Sequence, residues 1–161
     1  MAHAIQALVA KINVAQAFCS RYPGASTLKL PQDFGIIPVE REMVEEWTGS
    51  DVPQNTETFI QLTDEFIEFP KRESSLGRLA YIESEYFGGD GCEGAFVADN
   101  GRTLMEATRE TDAILKAFRL LGVKPLNDKL MFRFANEVAV LGIEDFRSND
   151  AILNAINSAR Q

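Results

Sequence analysis

The chain of 161 residues contains a single histidine, His3. It lies two residues from the start of the chain, where fraying is common. A site that uses histidine as its base, such as a Ser-His-Asp or Cys-His site, is therefore not expected. One histidine and two distant cysteines also fall short of the usual zinc ligand set. We predict no catalytic residues, no metal site and no cofactor.

Cysteine is scarce as well. Cys19 and Cys92 lie far apart in a chain long enough to bury a hydrophobic core without covalent links. A disulfide framework is not expected, and both thiols are predicted to be reduced. Cys92 stands between Asp90 and Glu93, and negative neighbours raise the pKa of a thiol. Cys92 is therefore predicted to be a poor nucleophile.

Long hydrophobic runs are missing, because charged residues interrupt each apolar stretch well before the roughly 20 residues that cross a bilayer. The first residues, Met-Ala-His-Ala-Ile, place no cationic stretch ahead of an apolar segment, and Lys11 interrupts that segment early. We expect a cytoplasmic protein that does not engage a membrane.

Basic residues are outnumbered by acidic ones, 16 to 24, which gives a net charge of −8. Binding to nucleic acid needs clustered Lys and Arg, so no nucleic-acid partner is expected. The acidic excess is concentrated between residues 40 and 93, which contain 14 acidic and four basic residues. Such a field favours a basic protein partner, although it also serves to keep a protein soluble.

The remaining composition, 45% hydrophobic and 25% charged, is that of an ordinary globular protein. Residues 3–22 predict a strand followed by a helix, with one continuous helix as the alternative. Asn13 and Gln16 resemble a capping pair at the start of that helix, and Pro23 ends it. Three further elements are predicted: short strands at 27–30 and 34–37, and a helix at 40–47.

Asn100-Gly101 is typical of a type I′ turn between antiparallel strands. An apolar stripe at helical spacing runs from Phe59 to Phe69, and Pro70 is predicted to end that helix. The other predicted elements are strands at 79–87, 92–98 and 102–105 and helices starting near Thr111, Asn127 or Asp128, and Ser148.

Together these elements predict an α+β fold. We expect a single domain over residues 1–161. Its small antiparallel sheet has the hairpin near 79–105 at the centre and packs with several helices.

Residues 85–91 read Glu-Tyr-Phe-Gly-Gly-Asp-Gly, and predicted helices end at Leu121-Gly122-Val123 and Leu141-Gly142-Ile143. With these segments the chain resembles a set of small uncharacterised bacterial proteins. In that set a strand ending Glu-Tyr-Phe-Gly-Gly-x-Gly leads to a second strand and then to helices ending Leu-Gly-Val and Leu-Gly-Leu. The resemblance covers about residues 79 to 143 and implies a shared fold. It transfers no functional residue, because the set has no established activity.

The hairpin carries the candidate site. Alternation along a strand places Glu83 and Glu85 on one face, with Cα atoms about 6.6 Å apart. Such carboxylates could form an acid/base pair or share a cation with Asp90 and Glu93. The other interpretations are a solvated strand surface and an acidic docking surface. We take Glu83, Glu85, Tyr86, Asp90 and Glu93 as the candidate binding residues.

Aromatic residues offer a second possible pocket, but their helical or alternating spacing favours core packing. They are Trp47, Phe59, Phe66, Tyr81 and Phe87.

Three functions stay open. The first is a protein-binding or inhibitor module, like an immunity protein that neutralises a basic toxin nuclease. The second is a small enzyme or ligand binder that uses the carboxylates at the mouth of the hairpin. The third is a structural homo-oligomer, paired through an exposed edge strand.

Overall fold

The computed structural model describes residues 3–51, 62–87, 90–124 and 147–160. These ranges contain six strands: β1 (His3–Lys11), β2 (Leu28–Leu30), β3 (Phe34–Pro38), β4 (Leu79–Phe87), β5 (Asp90–Asp99) and β6 (Arg102–Thr108). They also contain five α-helices: α1 (Ile12–Arg21), α2 (Arg41–Thr48), α3 (Asp64–Glu73), α4 (Ala113–Leu121) and α5 (Asn149–Ala159). The predicted helices that begin near Phe59 and Asn127 lie partly or wholly outside the described residues.

The six strands form one antiparallel sheet in the order β2-β3-β1-β4-β5-β6. β1 pairs on one side with β3 and on the other with β4. The predicted hairpin is present, and its first strand lies between β1 and β5. The α+β prediction is confirmed.

Helices cover both faces of the sheet. On the first face, Ile5, Ala7 and Val9 of β1 pack in one hydrophobic cluster with residues of α4 and α5. On the second face, Leu8 and Ala10 pack in another cluster with residues of α1, α2 and α3. Because side chains alternate along a strand, one strand serves both cores. We call these the α4–α5 face and the α1–α3 face.

Local chemistry sets several boundaries as predicted. Asn100 and Gly101 have φ angles of 49° and 77°, as a type I′ turn requires. Ser148 caps α5, since its Oγ accepts a hydrogen bond of 3.2 Å from the Ala151 N–H. Residues 3–22 form a strand and then a helix, but the predicted cap at Asn13 is wrong. The helix begins at Ile12, and Lys11 is its N-cap without a side-chain bond.

The predicted end of α3 is also wrong. Pro70 lies inside the helix, which continues to Glu73. The helix starts at Asp64, where the Thr63 Oγ1 accepts a hydrogen bond from Phe66 N–H at 3.1 Å. Proline in a helix removes one backbone hydrogen bond. Here Pro70 is buried, and the extra turn carries Glu73 into the interior, so tertiary packing overrides the local penalty.

An aromatic cluster of Phe18, Tyr22, Trp47 and Phe69 joins α1, α2 and α3. All six pairs of ring centroids lie 4.9 to 6.1 Å apart. Tilted and edge-to-face contacts of this kind add stability beyond the apolar area that they bury. The predicted use of Trp47 in core packing is confirmed, and Phe66 packs on Tyr81 at 4.6 Å.

A buried carboxylate, that of Glu73, is hydrogen-bonded to Tyr22 of this cluster. Glu73 is 1% exposed. It accepts hydrogen bonds from Arg21 Nη1 at 2.8 Å, from Arg72 Nε at 3.2 Å and from the Tyr22 hydroxyl. Burial and the bond to Glu73 raise the pKa of Tyr22. These bonds connect α1 to the last turn of α3.

We predict that Gly35→Ala destabilises the protein. A Cβ at Gly35 would lie 2.7 Å from Thr27 Oγ1 and 2.9 Å from Ala15 Cβ, because α1 packs closely on β3. The expected loss in free energy of unfolding, measured by urea denaturation, is about 1–3 kcal/mol. Gly24→Ala is the control, since its Cβ would make an ordinary 3.4 Å contact with Trp47 Nε1. Equal stability of the two variants would contradict this interpretation.

We also predict that Glu73→Gln destabilises the protein by about 1–3 kcal/mol, because it weakens three charge-assisted hydrogen bonds to one buried group. Thermal and urea unfolding followed by Trp47 fluorescence measure the change. Glu68→Gln, on the exposed side of the same helix, is the matched control and should stay within about 0.5 kcal/mol of wild type. If the two variants unfold alike, Glu73 does not fasten the helices.

Candidate functional site

Glu83 and Glu85 share the α1–α3 face, as alternation predicts. Glu83 is only 2% exposed, because Leu62 and the α3 residue Phe66 pack over this face, where Glu83 lies opposite Gly94. Glu85 is half-buried opposite Cys92. The interpretation of a solvated strand surface is therefore wrong for Glu83, and the reason is the helical layer over this face of the sheet.

Glu83 lies beside another buried polar group, the hydroxyl of Tyr81. Burial first, and then the neighbouring Glu83 carboxylate, raise the pKa of Tyr81 well above its ordinary value. The hydroxyl therefore stays protonated at neutral pH and presents a dipole to the carboxylate. Such a pair can stabilise charge inside the sheet, but it is closed off from substrate-sized molecules by the burial of both residues.

Cys92 on β5 lies opposite Glu85 and is exposed. Burial, followed by Glu85 and Glu83, raises the pKa of the Cys92 thiol, and Arg109 partly offsets this shift. The direction predicted from the sequence is confirmed, although the nearby charges belong to strand β4. Arg109 is held in place because its Nη2 donates a 2.7 Å hydrogen bond to the Leu62 carbonyl.

Glu93 lies on the opposite face, the α4–α5 face, where it is 1% exposed. Its Oε1 accepts a hydrogen bond of 3.4 Å from the Ile114 N–H. Ile114 belongs to the first turn of α4, where N–H groups lack partners inside the helix and a negative charge is favourable. Glu93 therefore fastens α4 to the sheet.

Of the five candidate residues, the three whose side chains are described do not converge. The sheet separates Glu93 from Glu83 and Glu85, and the side chains of Tyr86 and Asp90 lie outside the described part of the chain. Among the described residues, no group of three or more His, Cys, Asp or Glu side chains could hold a metal ion. Whether any of the five binds a partner stays a prediction.

The exposed acidic charge lies elsewhere, on and beside α2 and α3. Glu42 and Glu46 are one helical turn apart on the side of α2 opposite the buried Val44. The exposed acids of this region, which we call the acidic helical surface, are Glu42, Glu46, Asp51, Asp64, Glu65 and Glu68. Among the described residues from 40 to 73, Arg72 is the one exposed base, and it pairs with Glu73.

A shallow groove of about 150 Å³ runs between α2 and α3 within this surface. Asp51, Glu65 and Arg72 line it, and the buried Val44, Phe66 and Phe69 lie beneath. The sequence contained a signal for this surface, namely acidic residues spaced by three or four positions opposite an apolar helical stripe.

No protein-family model matches the chain, and neither a curated protein nor a solved structure is significantly similar to it. The resemblance to small bacterial proteins therefore stays a prediction. Within the described residues, no helix has the length and apolar character needed to cross a membrane.

We predict that Glu85→Gln speeds the alkylation of Cys92. Removing the carboxylate lowers the thiol pKa, so the reactive thiolate fraction at pH 8 increases, by about two- to fivefold. Arg109→Gln should slow the reaction, since Arg109 lowers the same pKa. Iodoacetamide labelling followed by mass spectrometry gives both rates.

Cys19 serves as the internal reference, because burial raises the pKa of its thiol to about 11 and should keep it slow in every variant. Glu106→Gln, at an exposed position on β6, controls for net charge. Unchanged Cys92 rates in both test variants would show that Glu85 and Arg109 do not act on the thiol.

Proposed function

We propose that this protein is a binding module that recognises a basic protein partner, in the manner of an inhibitor or immunity protein. The observation that supports this function is the collection of exposed acids on and beside α2 and α3. The buried acids Glu73, Glu83 and Glu93 do not contribute to it, because each lies inside the fold.

Physical chemistry favours this assignment. Isolated surface ion pairs add little affinity, but a patch of one sign accelerates encounter with an oppositely charged partner and fixes its orientation. The groove between α2 and α3 adds shape to this surface: Asp51, Glu65 and Arg72 line it, while Val44, Phe66 and Phe69 beneath are only 1 to 5% exposed. Recognition there therefore rests on charge rather than on apolar anchors.

Pairing through a sheet edge is less well supported. One edge strand, β2, has three residues. The other, β6, carries two register shifts against β5 and exposes the charges of Arg102 and Glu106. Short strands, bulges and charges are features that protect sheet edges from pairing with other chains. We therefore place the partner on the helices.

We infer a cytoplasmic location for this activity. Cys19 and Cys92 are both free, and unpaired thiols are typical of a reducing compartment.

The test is capture of a partner by the immobilised protein at about 50 mM and about 500 mM salt. We predict that the wild type retains a basic protein at low salt and releases it at high salt. The triple variant Glu42→Gln, Glu46→Gln, Glu68→Gln should lose this capture, because it removes three charges from the acidic helical surface.

The matched control is Asp33→Asn, Glu106→Gln, Glu110→Gln, which removes the same number of charges at exposed positions outside this surface. It should capture the partner like the wild type. Equal loss in both triple variants would mean that net charge alone matters, and equal capture by all three proteins would refute a docking role for α2 and α3.

A further inference from the structure

Basic residues gather at one end of the sheet. β1 ends at Lys11, β4 begins one residue after Arg78, and β6 begins at Arg102. The antiparallel register aligns the end of β1 with the start of β4, and the end of β5 with the start of β6. Since these four strands are neighbours, the three bases lie at the same end of the sheet.

The C-terminal end of α4 adds two more bases to this place. Arg78 Nη1 donates a 2.7 Å hydrogen bond to the Leu120 carbonyl, which joins the start of β4 to the last turn of α4. Arg119 lies in that turn, and Lys124 follows the C-cap of the helix. All five bases are exposed. We call them the basic end: Lys11, Arg78, Arg102, Arg119 and Lys124.

Three of these cations pair with no carboxylate of the described residues. Arg78 is paired with Asp99 at 3.1 Å, whereas Lys11, Arg102 and Lys124 form no ion pair within this part of the chain. The carbonyl groups at a helix C-terminus favour positive charge, which accounts for a base near the end of α4. They do not account for Lys11 and Arg102, which lie at the ends of strands.

The acidic helical surface is the electrostatic complement of this end. Five of its acids are exposed and form no ion pair within the described residues: Glu46, Asp51, Asp64, Glu65 and Glu68. These acids lie on and beside α2 and α3, whereas the basic end lies at the strand ends and on α4. No ion pair of the described residues joins the two surfaces within one molecule, so their charges remain for a neighbouring molecule.

We propose that the basic end of one copy of this chain docks on the acidic helical surface of a second copy. This inference rests on the docking role proposed for that surface and names one of its occupants. The contact joins two different surfaces, so a pair of copies keeps one surface of each kind free and further copies add in the same direction. Exposed ion pairs contribute little each, so we expect weak association, with a Kd of about 0.1–1 mM.

The net charge of −8 is compatible with this contact. At about 0.1 M salt the Debye length is about 10 Å, so charges in the contact attract one another while most of the more distant charges are screened. Nucleic acid is the other class of partner that exposed bases attract. Its phosphates form a continuous row of negative charge, however, and Asp99 lies between Arg78 and Arg102. A protein surface with separated carboxylates suits this arrangement better.

The test is sedimentation of the purified full chain at about 1 mM, in about 0.1 M and about 0.5 M salt. The wild type should self-associate at the lower salt and be a monomer at the higher. The basic-end variant replaces the three unpaired cations: Lys11→Gln, Arg102→Gln and Lys124→Gln. It should associate about tenfold more weakly or not at all.

The matched control removes the same number of exposed bases outside the basic end: Lys116→Gln, Arg147→Gln and Arg160→Gln. Because its net charge equals that of the basic-end variant, it separates the effect of position from that of total charge. It should associate like the wild type.

Mixing two variants tests the direction of the contact. The triple variant Glu42→Gln, Glu46→Gln, Glu68→Gln keeps the basic end, and the basic-end variant keeps the acidic helical surface. Each should be a monomer alone. An equimolar mixture should form a one-to-one dimer and no larger species, because a single complementary junction remains. Recovery of association in the mixture also shows that both variants are folded.

The proposal is overturned if the wild type is a monomer at about 1 mM in about 0.1 M salt. It is also overturned if the basic-end variant and its control associate alike, or if the mixture stays monomeric while the wild type associates. A labelled DNA duplex of about 20 base pairs is the second probe. If it binds a monomeric wild type but not the basic-end variant, the basic end is a nucleic-acid surface instead. Capture of a foreign basic protein by a chain that stays monomeric would overturn this inference and leave the proposed function standing.

Discussion

Strand β1 is the constraint on which the rest of the structure depends. It pairs with β3 on one side and β4 on the other, so it joins two parts of the chain that are far apart in sequence. Its alternating side chains also begin both hydrophobic cores. Since Val9 pairs with Ala80, these contacts close loops of about 70 residues, and non-local pairings of that kind form slowly.

The pairing of β4 with β1 places the hairpin inside the sheet. This position decides which acidic residues between 40 and 93 are buried and which are exposed. Since helices cover both faces of the sheet, Glu83 on β4 and Glu93 on β5 lie inside, on opposite faces. A buried carboxylate is costly without compensating groups. Glu93 meets the first turn of α4, Glu83 lies beside Tyr81, and Glu73 meets two arginines. The acidic excess thus divides into buried groups inside the fold and exposed groups on and beside α2 and α3.

This division marks the limit of what sequence alone predicts here. Features that depend on a few neighbouring residues were predictable, such as the Asn100-Gly101 turn and the Ser148 cap. The shared face of Glu83 and Glu85 was predictable too, because alternation is a local property. The burial of Glu83 was not, since it depends on which elements pack over that face of the sheet. The prediction that α3 ends at Pro70 was wrong for a similar reason, because the interior contacts of Glu73 outweigh the missing backbone hydrogen bond.

The contact between α5 and β1 has its origin in a mismatch of strand lengths. β1 has nine residues, whereas β3 covers only Ala7 to Lys11. The uncovered backbone groups of β1 still need partners, because buried N–H and C=O groups are rarely left unpaired. Val39 N–H donates to the Gln6 carbonyl, and the Arg147 carbonyl accepts from the Ala4 N–H.

The Gln6 N–H lies between these two bonds and is paired by a side chain, that of Asn149. An amide can replace a backbone carbonyl in this way, but it brings an NH₂ group that a backbone carbonyl does not have. The buried Nδ2 of Asn149, which has no hydrogen-bond partner among the described residues, is therefore a direct consequence of completing the β1 ladder with an asparagine.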